Sequence, residues 1–184
     1  MQGVPVRTPD PAVYFAPMDL LQGLLTRRSV RKFTREPVTR AQVLEILRAG
    51  SWAPSGLNNQ PWRFAIVFDA AARAEMAKLT RYGRVIEGAP VCLTVFIDRE
   101  VMYHEIKDHQ SMGACIENLL LAAHGLGLGA VWLGEILKNA GEVRNLLGLP
   151  AGLELMAVVA VGHPAEAVKA PARRDLAELI VKEI

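Results

Sequence analysis

The clearest signal in the sequence is a run of apolar residues that recur every three or four positions, which is the spacing of one face of an α-helix. The run consists of Met112, Cys115, Ile116, Leu119, Leu120 and Ala123. We predict that it forms the central core helix of the fold. This helix should end at Gly125, since glycine commonly follows the last helical turn.

Shorter apolar patterns predict four further helices. Asp19 can cap the first and Thr39 the second, because their side-chain oxygens accept hydrogen bonds from the free N–H groups of a first helical turn. The second helix should end near Ala53, since the Pro54-Ser55-Gly56 sequence that follows interrupts helical hydrogen bonding. The predicted helices cover residues 20–28, 40–53, 70–79 and 140–147.

Four short apolar runs have the length of buried β-strands. They cover residues 62–68, 90–97, 130–133 and 155–161. The order of helices and strands favours a mixed α and β fold. Because no internal repeat and no linker divides the chain, we predict a single domain over residues 19–184. Residues 1–18 carry four prolines, and we predict an extended arm there that is anchored on another subunit.

Composition narrows the classes of function. The 184 residues are 51% hydrophobic and 22% charged, which is typical of a globular domain at the apolar end of the range. A net charge of +2 argues against nucleic-acid binding, and no run approaches the roughly 20 apolar residues of a membrane span. Cys92 and Cys115 each lie in an apolar run, so we expect buried thiols, a reducing compartment and a cytoplasmic location.

Three motifs are incomplete, and we assign no chemistry to them. The glycines within residues 125–129 follow a helix with GxGxG spacing, whereas dinucleotide binding needs GxGxxG between a strand and a helix, so we interpret them as a helix end and a tight turn. His104 and His109 form HExxxH, whose imidazoles do not share a helix face, and we predict no metal site. Ser55 lies outside a GxSxG motif, so we predict no nucleophilic serine.

Basic residues are concentrated in the segment Arg27-Arg28-Ser29-Val30-Arg31. Arginine binds phosphate through paired hydrogen bonds and a serine hydroxyl adds a further donor, so the segment indicates an anion site. A solvated basic helix end is the alternative, because cations favour the carbonyl terminus of a helix. The charges alone do not decide between these two interpretations.

Four segments of the chain, in order, resemble the nitroreductase family. Residues 27–33, RRSVRKF, resemble its RRSxRxF opening, and residues 53–62, APSGLNNQPW, resemble its A-P-S-x-x-N-x-Q-P-W segment at the family's spacing. Residues 118–129 are similar to its core helix and glycine turn, and residues 159–164, VAVGHP, to its late strand and turn. The resemblance implies an α+β fold with a central mixed, mainly antiparallel sheet flanked by helices, in a homodimer whose subunits embrace each other.

The resemblance also implies an FMN-dependent oxidoreductase with FMN held in clefts at the subunit interface. We expect NAD(P)H to reduce the cofactor and leave before a small organic acceptor, such as a nitroaromatic or a quinone, enters the same cleft. The flavin carries the hydride chemistry, so we assign no catalytic acid or base. The residues in the segment expected to cover the substrate, to which no role is assigned, are Tyr82, Tyr103, His104 and His109.

Residue by residue, the resemblance implies where FMN is held. Arg27, Arg28 and Ser29 match positions at the phosphate and ribityl chain, and Arg31 matches a basic residue at the pyrimidine edge. The loop expected against the ring, usually from the second subunit, contributes Pro54, Ser55, Gly56 and Asn58; Gly56 replaces the Ser of some members and supplies no side chain. The backbone expected over the flavin is that of Leu133, Gly134 and Glu135. The late basic residues expected to close on the phosphate are Arg173 and Arg174.

Two alternatives stay open at the level of sequence. A reductive dehalogenase or a flavin-fragmenting enzyme would share the RRSxR and PSG elements, but a deiodinase-like member is expected to place a hydroxyl near the flavin N5, where this chain has Gly134. A non-catalytic module that stores or senses FMN would share the binding site without the activity.

Overall fold

Four strands form the centre of the structure, a computed structural model that describes residues 19–184. The strands are β1 (Trp62–Val67), β2 (Val91–Asp98), β3 (Gly129–Leu133) and β4 (Leu153–Gly162), in the spatial order β1-β2-β4-β3. All three strand pairings are antiparallel, and an isolated parallel bridge joins Ser29 to Ala130. The predicted α+β fold with a mainly antiparallel sheet is confirmed. The arm predicted for residues 1–18 lies outside the described residues.

Seven helices flank the sheet in the described part of the chain. They are α1 (Leu20–Thr26), α2 (Arg40–Ser51), α3 (Ala70–Ala77), α4 (Gly83–Gly88), α5 (Glu105–Gly125), α6 (Ala140–Leu146) and α7 (Leu176–Leu179). The five predicted helices are all present, although four of them end one or two residues earlier than expected. The sequence did not indicate α4 and α7, because helices of six and four residues are too short for an apolar period to repeat.

The start of α2 shows how local sequence sets a helix boundary. Thr39 Oγ1 accepts a hydrogen bond from the N–H of Gln42 at 3.2 Å, and the Gln42 side chain accepts one from the N–H of Thr39 at 2.8 Å. This reciprocal arrangement satisfies two N–H groups that the first helical turn leaves free. The predicted cap at Thr39 is therefore confirmed. The predicted cap at Asp19 is also present, since the Asp19 side chain accepts one hydrogen bond from the N–H of Leu21.

Helix α5 is the core helix that the apolar period predicted. It runs for 21 residues, and its buried face packs against α2 and the sheet. The glycines that follow it also behave as interpreted: Gly125 ends the helix, Gly127 has a φ of +72°, and Gly129 begins β3. The GxGxG sequence therefore serves a turn.

Strand β2 is buried on both faces from Val91 to Ile97, which explains why its sequence is almost entirely apolar and does not alternate with polar residues. Leu93 and Ile97 point to the core that contains α2 and α5. Cys92 and Phe96 point to the second core, on the side of α3, α4 and α6. The sheet is therefore the middle of three layers, with a separate apolar core on each face.

Both cysteines lie inside these cores. Burial raises the pKa of the Cys92 thiol and of the Cys115 thiol to about 12, and the nearby Arg73 offsets only part of this effect at Cys92. The expectation of buried thiols is confirmed. Within residues 19–184, no helix is both long and apolar enough to cross a membrane.

Candidate functional site

The Arg27 to Arg31 segment leaves the end of α1 and runs beside the first residues of β3. Helix α1 ends at Thr26, and the N–H of Val30 donates to the carbonyl of Ala130 at 3.0 Å. Gly129 is essential to this contact, because a Cβ there would overlap the Val30 side chain. The basic segment is therefore extended backbone, docked on the sheet and held in a fixed register.

Both interpretations of the basic segment find support in its contacts. The Arg28 guanidinium donates to the carbonyls of Leu25 and Arg27, at 2.8 and 2.7 Å, and so satisfies the carbonyl end of α1. At the same time Arg28 lines a cavity of about 390 Å³. The residues that line this basic cavity are Arg27, Arg28, Ser29, Arg31, Val168, Lys169, Pro171 and Arg173. Among residues 19–184, no acidic residue lines this cavity, so it is suited to an anion.

The basic cavity unites most of the predicted phosphate ligands. Arg173 approaches from the C-terminal segment, 142 positions beyond Arg31 in the chain, whereas its neighbour Arg174 does not line the cavity. Lys169 does line the cavity, and the sequence reasoning missed it. The available signal was its position in the same basic C-terminal segment, four residues before Arg173.

Arg27 is oriented by a carboxylate of the core helix. Its Nε lies 3.2 Å from Glu117 Oε1, and the Arg27 side chain is only 18% exposed. Such a contact occupies the inner edge of the guanidinium and leaves its other N–H groups for a ligand. His124, on the same helix, shows the effect of the surrounding charge: burial and then the charges of Arg27 and Arg28 lower the pKa of its imidazole.

The loop after α2 has an unusual backbone. Leu57, Asn58 and Gln60 all adopt positive φ values, of 53°, 56° and 46°, although none of them is glycine. Left-handed backbone at such residues costs on the order of 1 kcal/mol or more each and concentrates at functional sites. Ser55 supports the turn, since its Oγ accepts from the N–H of Gln60 at 3.1 Å.

A buried carboxylate anchors this loop to the start of α5. Asn59 Nδ2 donates to Asp108 Oδ1 at 2.7 Å, while the other oxygen of Asp108 accepts from the N–H groups of Tyr103 and His104 at 2.9 Å each. Burial raises the pKa of Asp108, but these hydrogen bonds outweigh burial and hold the pKa below its usual value. The sequence did carry a signal, because Asp108 falls on the same helix face as Met112 and Cys115.

The loop residues do not reach the basic cavity in this chain. Pro54, Ser55 and Gly56 line a separate, shallow cavity of about 320 Å³. Tyr103, Lys107, Gln110, Ser111 and Ala114 complete the lining of this loop cavity. Asn58, the fourth predicted loop residue, lies in the 3-10 turn Gly56–Asn58 and does not line it.

The third predicted segment lies at the far end of β3. Leu133 is buried as the last residue of the strand, and Gly134 is exposed before the 3-10 turn Glu135–Asn139. The basic cavity lies near the start of the same strand, so Ala130 and Gly134 are about 13 Å apart along it, at roughly 3.3 Å per residue. The basic cavity thus lies beside the start of β3, and the accessible backbone of Gly134 lies just after its end.

The Glu135 carboxylate holds the turn in place. It accepts hydrogen bonds from Thr80 Oγ1 at 2.6 Å and the N–H of Arg81 at 3.2 Å, and it forms an ion pair with Lys138 at 2.6 Å. The Lys138 and Thr80 contacts are the main causes that lower the pKa of Glu135 to about 2. The Glu135 side chain is therefore engaged with the α3–α4 connection. The backbone of residues 133–135 stays available for contact with a ligand.

The histidines of the HExxxH motif take local roles. His104 immediately precedes α5, and His109 Nδ1 lies 2.6 Å from the carbonyl of Glu105 in the first turn. Residues 19–184 contain no group of three His, Cys, Asp or Glu side chains placed to hold a metal ion.

Comparison with known proteins places these features in one family. The model of the Nitroreductase family matches residues 24–83 and 78–163. A protein of Methanothermobacter thermautotrophicus named as an NADH dehydrogenase/NAD(P)H nitroreductase is 34% identical over 161 residues, covering 86% of this chain and 83% of that protein.

Solved structures give the same result. The crystal structure of a protein from Desulfovibrio desulfuricans named as a nitroreductase, in complex with FMN, has a TM-score of 0.86 and 49% identity, and the match covers 92% of this chain and 99% of that one. NADPH:FMN oxidoreductase of Vibrio harveyi, complexed with NAD+, has a TM-score of 0.81 and 27% identity, covering 89% and 76% of the two chains.

The Asp108 anchor generates a prediction about stability. Asp108→Asn should lower the free energy of unfolding by about 2 kcal/mol, because hydrogen bonds to a buried charged group each contribute roughly 1.5–3 kcal/mol. Urea denaturation at neutral pH measures this loss. Since folding lowers the pKa of Asp108, its contribution is complete above the ordinary value of 3.8 and is lost as the pH falls through the lowered value.

Glu105→Gln is the matched control for this variant. Glu105 lies in the same first turn of α5, so both substitutions remove one negative charge from the same helix terminus, but Glu105 is exposed. Its unfolding midpoint should stay close to that of the unaltered protein. Equal midpoints for the two variants would contradict the anchoring role of Asp108.

Proposed function

The chain belongs to the nitroreductase family and is an FMN-dependent NAD(P)H oxidoreductase, and we propose that it passes reducing equivalents to a small organic acceptor such as a nitroaromatic or a quinone. The observation that carries the proposal is the basic cavity, where five cationic side chains and Ser29 converge and to which the described part of the chain contributes no acidic residue. This set of donors fits the phosphate of FMN, since guanidinium groups bind phosphate through paired, charge-assisted hydrogen bonds.

We assign the phosphate end of FMN to Arg27, Arg28, Ser29 and Arg173, with Lys169 as an additional cation. When bound, FMN supplies the hydride chemistry, so the protein needs no nucleophile or metal of its own. Arg31 lies beyond Ser29 and holds a positive charge beside the pyrimidine edge. A fixed cation there stabilises the negative charge that gathers on the ring during reduction.

The second half of the proposed site comes from the other subunit. In the described chain the loop residues Pro54, Ser55 and Gly56 line a cavity separate from the basic one. A homodimer would bring this loop of one subunit against the cofactor held by its partner, with Asn58 in the same loop. The backbone of exposed Gly134 and half-buried Glu135, after buried Leu133, would then face the ring from the subunit that holds the phosphate.

The surface of the chain supports this dimer. A single chain exposes large apolar side chains in quantities that favour association. They include Leu20, Leu21, Leu24 and Leu25 on α1, Trp52 and Leu57 around the end of α2, and Leu176, Leu179 and Ile180 around α7. Arg174, which does not line the basic cavity, lies two residues before α7 in the proposed interface segment.

Donor and acceptor use the same cleft in turn. Gly134 is exposed beside the proposed ring position and carries no hydroxyl. In the proposed ping-pong order, NAD(P)H enters, donates its hydride and leaves before the acceptor is bound. The absence of a hydroxyl at Gly134 also favours two-electron reduction over deiodinase-like chemistry.

An anaerobic exchange experiment tests the proposed function. FMN-loaded protein should lose its yellow colour with NADH or NADPH and regain it with para-nitrobenzoate or menadione, and initial rates at varied donor and acceptor should give parallel double-reciprocal plots. Iodotyrosine is included as an acceptor, and release of iodide would instead support the dehalogenase alternative. A yellow protein inert toward both nicotinamides would favour a storage module and contradict the proposal.

Loss of the Arg27 guanidinium should weaken FMN binding about tenfold to a hundredfold. The reason is that hydrogen bonds to charged groups contribute roughly 1.5–3 kcal/mol. Titration of the FMN-free protein with FMN, followed by flavin fluorescence, measures the dissociation constant for Arg27→Ala. Arg35→Ala is the control, because Arg35 belongs to the same basic stretch and is exposed but does not line the cavity. If both variants bind FMN as tightly as the unaltered protein, the phosphate anchor lies elsewhere.

A charge placed on α1 should dissociate the proposed dimer. Leu25 is 70% exposed in the single chain, and Leu25→Asp would bury a carboxylate if α1 lies in the interface. Sedimentation velocity should then show a species of 20.1 kDa, whereas the unaltered protein sediments at twice that mass. Leu146→Asp, on α6 across the sheet, should leave the dimer intact. A monomeric unaltered protein would contradict the two-subunit site.

A further inference from the structure

The Tyr103 side chain occupies the space that a side chain at residue 56 would need. A Cβ added to Gly56 would overlap the Tyr103 hydroxyl and the neighbouring atoms of its ring. The loop thus carries no side chain at this point, and a phenol hydroxyl from the segment before α5 stands in its place. This arrangement gives the loop cavity a hydrogen-bond donor that the loop sequence does not encode.

The position of Tyr103 is well defined by its neighbours. Its backbone N–H is held by Asp108, which also holds Asn59 of the loop, so loop and phenol share one anchor. The Lys107 ammonium lies 5.6 Å from the centre of the Tyr103 ring, within range of a cation–π interaction. The ring is 41% exposed and lines the cavity, so the phenol is both fixed and accessible.

The charge of the loop cavity has one sign. Among the described residues that line it, Lys107 alone carries a charge, and Ser55, Gln110 and Ser111 add polar groups. The Ser111 hydroxyl donates to the carbonyl of Lys107 at 3.1 Å, so it is already engaged within the helix. The groups available to a ligand are therefore a phenol hydroxyl, an ammonium, an amide and the Ser55 hydroxyl, all able to donate to oxygen atoms.

We propose that Tyr103 and Lys107 are specificity-determining residues that select aromatic acceptors bearing an anionic group. The inference rests on the proposed function, in which the loop of residues 54–56 lies against the cofactor ring and its cavity opens to the acceptor. The Tyr103 hydroxyl donates a hydrogen bond to an oxygen of the acceptor. Lys107 attracts the carboxylate or another anionic substituent at the exposed side of the cavity.

Two nitroaromatic acceptors of the same ring size separate charge from shape. We would measure kcat/KM for para-nitrobenzoate and for the neutral para-nitrobenzyl alcohol, using FMN-loaded protein with saturating NADH. Lys107→Met should lower the ratio of the two kcat/KM values about threefold to fivefold, the scale of an exposed ion pair. Tyr103→Phe should lower kcat/KM for both acceptors about tenfold, since it removes one hydrogen bond.

A binding measurement provides a readout that does not depend on turnover. The change in visible flavin absorbance when para-nitrobenzoate is added to the oxidised protein gives its dissociation constant. This constant should rise in both variants, while the dissociation constant of FMN stays unchanged. An unchanged constant for para-nitrobenzoate in both variants would overturn the proposal.

Lys78→Met is the matched control for Lys107→Met. Lys78 is exposed just after α3 and forms an ion pair with Glu75 at 2.6 Å, but it does not line the loop cavity. Its kinetics should equal those of the unaltered protein. The proposal is overturned if Lys107→Met behaves like Lys78→Met, or if Tyr103→Phe leaves kcat/KM for both acceptors unchanged. Failure of the proposed function is recognised separately, because the unaltered protein would then reduce no acceptor at all.

Discussion

Like charges gathered in a small space repel one another, and the cost must be met by rigid backbone, by opposite charges or by a bound anion. In the basic cavity, rigid backbone is provided by the docking of Val30 on β3 and by the close contact at Gly129 that allows this docking. Opposite charge is scarce in the described part of the chain, because Glu117 contacts Arg27 and no acidic residue among residues 19–184 lines the cavity. The cavity is therefore suited to a bound anion, and a dianionic phosphate matches its charge better than water does.

Each part of the site is held by a contact outside it. Glu117 orients Arg27, Asp108 fixes the loop through Asn59, and Glu135 fixes the turn at Gly134 through Thr80. All three are carboxylates, and none of them belongs to the groups assigned to the cofactor phosphate. These three carboxylates thus hold the parts of the proposed site in position from outside it, while the basic residues of the cavity face the ligand.

The sequence predicted much of this arrangement, and the part it missed has a common physical cause. Helices and strands were predicted because apolar periods of three to four residues, or short continuous apolar runs, repeat within a local window. The basic segment and Arg173 were predicted from their match to positions of the nitroreductase family. The contacts between Asn59 and Asp108, and between Arg27 and Glu117, join residues 49 and 90 positions apart, and no local pattern encodes such pairs. Tyr103 over Gly56 is a contact of the same kind.

Strand β2 belongs to both apolar cores, because alternate side chains along it face opposite sides of the sheet. A one-residue insertion within it would exchange the two sets and send Phe96 toward the wrong layer of helices. A change of chain length is therefore tolerated in the connections before and after the strand and not within it. Strand β2 thus fixes the position of both layers of helices at once, so the order of its residues constrains the whole fold.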